Sequence, residues 1–224
     1  MEHMQRRGGT KVNIIVSIVC VAILIVIVQT LSGEHQRSHM SRDEMQIRAI
    51  YQSWLVYSNT NNGLLPTSGL VKRKPFSGAI VPGRGEEDPS QNTTANLFSL
   101  SIMSNCVAPE MCIGVTEPSS HVTVCDHYNY DAYNPGAGVF WDPNFTADLH
   151  ATSNVSYAHM PILGEAKAKL WRPTAGGSDM AMLGNRGPLG GVHDPLSITH
   201  RIYPPFDRWS GVICFKDGHS EFCQ

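Results

Sequence analysis

From Ile14 to Leu31 the chain is almost wholly apolar, with only Ser17, Cys20, Gln29 and Thr30 interrupting an aliphatic run. At helical rise this run is about long enough to cross a bilayer core. A helix is the form in which a single crossing segment satisfies its own backbone polar groups there. Ser32 to Arg42 is polar. Then Ile47, Ile50, Tyr51, Trp54 and Leu55 recur at spacings of three and four, one apolar face of a helix. Asp43 and Glu44 stand early in that stretch, where a helical first turn favours acids. No proline occurs before Pro66. The pattern predicts one long helix, with Ser32-Gly33 as a place for a kink, ending near Ser58 at Asn59-Thr-Asn-Asn-Gly63. Residues 9–31 are its transmembrane part, and residues 32–66 hold its continuation and exit.

Residues 67–224 read as a β-rich head. Residues 67–95 show no periodicity and are expected to be loop. A helix returns over Ala95 to Ser104. Ile113 to Val115, Val122 to Val124, Gly138 to Trp141 and Tyr157 to Leu163 are short strand candidates between turn residues. Ala166 to Trp171 is too short to assign, and residues 172–200 form a Gly-rich loop. Val212 to Phe215 and Ser220 to Cys223 flank Asp217-Gly218, a strong hairpin signal. With those two residues as a type I′ loop, Lys216 opposes His219, Phe215 opposes Ser220 and Cys214 opposes Glu221. The expected class is α+β: a long N-terminal helix packed on an antiparallel sheet, within a loop-rich head.

Charge gives the helix a direction. Arg6, Arg7 and Lys11 outweigh Glu2 before the apolar run, so the positive-inside bias holds Met1 in the cytoplasm and exports the chain beyond Ser32. Thr30-Leu31-Ser32 has small residues suited to signal-peptidase cleavage. The run, however, exceeds the usual ~7–15-residue core of a secretory signal and reads as an anchor. The implied location is a single-pass inner-membrane protein with its C-terminal domain periplasmic or extracellular, and its first partner is the lipid bilayer.

Only 16% of residues are charged and the formal net charge is −2, so no electrostatic footprint for nucleic acid exists. Of six cysteines, Cys20 lies in the apolar run. Cys106, Cys112, Cys125, Cys214 and Cys223 come after it, in a compartment that permits disulfides. Their number is odd and their spacing matches no zinc pattern. Under the tight-turn register Cys214 and Cys223 are diagonal neighbours, about 7–8 Å apart. Disulfide Cβ atoms sit about 3.5–4.5 Å apart. Either the loop is longer and the two bond, or the turn holds and Cys214 pairs elsewhere.

No nucleophile elbow, zinc-protease motif or phosphate-binding loop occurs, and the histidines in loop contexts, such as His121, His127, His159, His193, His200 and His219, lack paired spacing. An anchored hydrolase has no positive feature, and no cofactor is implied. Asp126, Asp131, Asp142 and Asp148 suit calcium by residue type only, without the spacing of a calcium loop, and no metal ligand is assigned.

Basic residues, a Gly, a Thr two places on and a long apolar helix resemble the N-terminus of type IV pilins and type II secretion pseudopilins. The resemblance implies a leader of residues 1–8, cut by a prepilin peptidase between Gly8 and Gly9, with methylation of the new N-terminus. Gly9 stands where that family has Phe, Lys11 where it has Leu, and Asn13 where it has the Glu that pairs with a neighbouring subunit during assembly. Asn62-Gly-Leu-Leu-Pro66 is similar to the helix exit of bacterial pseudopilins. The C-terminus resembles a hairpin of planctomycete pilin-like proteins, matched by Gly211, Phe215, Asp217, Gly218 and Phe222. Asp207 stands at that signature's His, where it is expected to accept a hydrogen bond from the turn backbone or from His219. The resemblance implies a structural subunit, not an enzyme, whose partners are other pilin-like subunits and the peptidase. The alternative is a membrane-anchored binding module that is neither processed nor assembled.

Overall fold

The computed structural model describes residues 5–76, 79–174 and 176–224. Helix α1 (Gln5–Thr60) remains helical through Ser32-Gly33. Strands β1 (Leu70–Phe76) and β2 (Ala79–Glu87) form an antiparallel pair. Helix α2 (Thr94–Met103), β3 (Tyr157–His159), α3 (Gly164–Leu170), β4 (Ala181–Asn185), β5 (Gly211–Phe215) and β6 (Ser220–Cys223) complete the chain. The last four strands make an antiparallel sheet in the order β3-β4-β5-β6. The class is α+β, with one long apolar N-terminal helix and antiparallel sheets.

The chain divides into two compact units, one ending at Ser41 and one running from Arg42 to Gln224. In the first, every residue from Asn13 to Gln36 is exposed. In the second, the residues of α1 after Ser41 are the spine of a core. Ile47, Ile50, Tyr51 and Trp54 are fully buried there with Leu97 and Phe98 of α2, Trp171, Met182 and Leu183 of β4, and Val212 and Cys214 of β5. The apolar stripe thus faces the sheet, as its period requires. Two of the buried aromatics have their polar edges satisfied: Trp54 Nε1 donates to Ser101 Oγ at 2.9 Å, and Tyr51 Oη donates to the Lys216 carbonyl at 2.8 Å.

The helix ends where Asn62 and Gly63 take positive φ (56° and 70°) and the Gly63 amide returns to the Ser58 carbonyl at 2.9 Å. That is a left-handed cap, which Asn and Gly tolerate best.

Three expectations are corrected and one short stretch is assigned. Residues 70–76 and 79–87 are an antiparallel strand pair rather than loop. Its first strand reads Lys-Arg-Lys-Pro and carries no apolar alternation, so its backbone pairing left no mark in the pattern. Ile113 to Val115 is not a strand, while Val122 and Val139 make single bridges only. The Gly-rich stretch contains β4, whose Gly184 lies so close to Val212 and Ile213 that an added Cβ would come within 2.8 Å of the Val212 carbonyl oxygen. Ala166 to Trp171, too short for its pattern to decide, falls mostly within α3.

The C-terminal hairpin forms on the expected strands, but one residue out of the expected register. Cys214 pairs with Ser220, Ile213 with Glu221 and Gly211 with Cys223. The loop is Lys216-Asp217-Gly218. The Gly218 amide reaches the Phe215 carbonyl at 2.9 Å, the Phe215 amide reaches the His219 carbonyl at 2.9 Å, and only Gly218 has positive φ, at 87°. This is a type I turn with a glycine bulge after it, which needs one left-handed residue where type I′ needs two. The slip places Cys214 and Cys223 on opposite faces of the sheet. Neither of the two expected outcomes arises: the loop is longer, yet Cys214 and Cys223 do not bond, and all six cysteines are free thiols.

Candidate functional site

Gly8 and Gly9, the expected cleavage pair, lie within α1, and residues 1–4 lie outside the described residues. Asn13 is exposed at the start of the apolar segment. Ile14 to Leu31 expose about half or more of each large side chain, from Ile27 at 45% to Leu31 at 64%. A helix apolar on all sides and covered on none finds its low-energy surroundings in hydrocarbon or among other apolar helices. Among the described residues α1 is the one helix long and apolar enough to cross a membrane.

The polar centre of the second unit is Asp43. Its carboxylate is fully buried, accepting from Tyr157 Oη at 2.8 Å, Asn185 Nδ2 at 2.7 Å and Tyr203 Oη at 2.9 Å. Burial, then the Asp43 charge, pushes both phenols far above their ordinary pKa of 10.0, so both stay donors. Asn185 spans the junction, because its Oδ1 accepts from the Val212 amide at 2.7 Å. Gly211 leaves room for this: an added Cβ would stand 2.7 Å from the Trp209 ring and 3.0 Å from Asn185 Cβ. Glu44 accepts from Ser220 Oγ at 2.7 Å. Neither acid lies in a helical first turn, contrary to expectation. Asp43 and Glu44 are deep within α1 and tie it to β3, β4, β6 and the chain around Tyr203.

This cluster was missed from sequence, though a signal existed. Asp43 continues the Ile47, Ile50, Trp54 face back by one turn, and an acid on a core-facing position demands donors.

The other expected site residues do not converge. Asp207 is exposed and its Oδ1 lies 3.6 Å from Arg208 Nε, so the expected bond to the turn or His219 is not made. The turn is served from within: Asp217 Oδ1 accepts from the His219 amide at 3.0 Å and contacts its ring. These bonds hold the Asp217 carboxyl below the ordinary range. Asp142 is buried, with its oxygens taken by the Asn129 and Asn144 amides at 2.8 and 2.9 Å, and Asp148 accepts from the His150 amide. Among the described residues no three His, Cys, Asp or Glu side chains gather as a metal-binding group.

One groove, of about 710 Å³, lies between the start of α2, residues 145–148 and β3, and is lined by Thr94, Phe145, His159, Ile162 and Leu163 among others. His159 Nδ1 is 2.8 Å from the Met160 carbonyl and its Nε2 3.1 Å from Thr94 Oγ1. Desolvation lowers its pKa, which favours the neutral ring. No family model, curated protein or solved structure matches this chain.

Proposed function

We propose that the chain is a pilin-like structural subunit, held in the inner membrane by the N-terminal half of α1 and able to assemble with like subunits through it. The observation that carries this reading is the division of labour along one unbroken helix. Residues 14–31 are largely apolar and uncovered, while Ile47, Ile50, Tyr51 and Trp54 are the spine of a folded head. A mere tether needs no continuation of its helix into the core. A filament subunit does, because the helix that assembles is also part of the head's core. Asn13 takes the place of the charged assembly residue and offers a hydrogen bond without a charge. The basic residues at 6, 7 and 11 favour a cytoplasmic N-terminus.

The test is the mature N-terminus. Produced with its cognate prepilin peptidase, the chain should stay in the membrane fraction after alkaline extraction and give an intact mass beginning at Gly9. Gly8→Val should leave the full-length mass. Full-length chain from the unaltered sequence, still membrane-bound, would leave the second reading. That reading is an anchored binding module, favoured by the groove beside His159.

A further inference from the structure

His35 and His39 of α1 take no part in the core. They are one helical turn apart, so their side chains share one strip of helix surface. Their Nε2 atoms lie 2.7 Å apart, with ring centroids at 4.2 Å and ring planes at 90°. So close an approach requires a proton between them: one Nε2–H donates and the other Nε2 lone pair accepts. His39 Nδ1 has no hydrogen-bond partner, so nothing but His35 holds that ring's tautomer. Glu34 is engaged by Arg37 at 3.8 Å.

We propose that His35 and His39 form a two-point binding site for a divalent transition-metal ion of the Zn²⁺, Ni²⁺ and Cu²⁺ class. Two histidines four residues apart on a helix can present two lone pairs to one ion. Imidazole suits these borderline ions, whereas calcium and magnesium require oxygen ligands. The ion occupies the place of the shared proton. The donating ring moves its proton from Nε2 to Nδ1, both Nε2 lone pairs turn to the ion, and the ion releases two of its waters. The protein loses no proton. Metal–nitrogen bonds of about 2.0–2.1 Å open the Nε2 pair to roughly 3 Å, a small adjustment for an exposed His35. The remaining coordination positions are held by water.

The test uses the full chain in detergent micelles, with His3→Ala throughout so that the histidine nearest the amino terminus adds no binding. Calorimetric titration with ZnCl₂ alone should give one ion per chain. His35→Ala and His39→Ala should each weaken binding at least about tenfold, judged against the cost of losing even an outer-shell partner. His193→Ala should leave it unchanged, and helicity by circular dichroism should be the same in all variants. Absence of zinc binding, affinity unchanged in both single variants, or loss on His193→Ala instead would overturn the assignment.

Discussion

Asp43 is the residue on which the head's polar interior depends. It is an acid in a fully buried position, and its three donors come from β3, β4 and the chain before β5. Asp43→Ala strands two phenol hydroxyls and one amide without an acceptor, each such group costing about 1–3 kcal/mol. A loss of at least about 3 kcal/mol is expected, read as the urea midpoint of the full chain in detergent. Asp43→Asn, whose amide turns donors against donors, should fall between. Asp207 is the contrast. Its pairing with Arg208 is between side chains 71% and 61% exposed, the kind of pair that contributes little in water. Asp207→Ala should change stability by no more than about 0.5 kcal/mol. Equal effects at the two positions would show that burial does not separate them.

Among the elements, the C-terminal hairpin shows how one turn residue sets everything beyond it. A three-residue loop in place of two moves Cys214 opposite Ser220 and turns Cys223 to the other face. Cys214 is then fully buried in the core cluster, whereas Cys223 is only half-buried. Peptide mapping under non-reducing conditions should recover these two cysteines on unlinked fragments. A linked fragment would require another register. The strands were legible in Val212 to Phe215 and Ser220 to Cys223, as was the turn in Asp217-Gly218. The choice between two loops differing by one residue was not, because both accept Asp-Gly and differ only in which face then meets α1.

For the molecule as a whole, the buried phenols and thiols dictate the response to alkali. Burial raises Cys106 and Cys214 from 9.0 to about 11 and Tyr57 from 10.0 to about 12. Tyr51, Tyr157, Tyr203 and Cys112 are raised further. A group whose folded pKa is raised contributes its full stabilisation below the unfolded value and loses it as pH climbs toward the folded one. Stability should therefore hold to about pH 9 and fall progressively above it. Lys216, lowered by burial, acts in the opposite direction but is a single group. His159, also lowered, adds a second loss as pH drops below its ordinary 6.5. Urea midpoints of the reduced protein from pH 5 to 11 would show the plateau and both declines. A midpoint that rises above pH 9 would contradict the burial of these groups.

Two kinds of information are separable in this chain. The long helix, its uncovered apolar segment, the core-facing stripe from Ile47 to Trp54, α2 and the strands of the last hairpin were all readable from residue order. Each is decided by periodicity and turn chemistry within one stretch of chain. β1, β4, the hairpin register and the Asp43 cluster were not readable. A strand such as Lys-Arg-Lys-Pro is made by the backbone of its partner, and β4 exists because Gly184 lets β5 approach. The Asp43 carboxylate finds its donors 114, 142 and 160 residues along the chain. The residue types at those positions permit such bonds, but only packing brings them within 3 Å of the carboxylate.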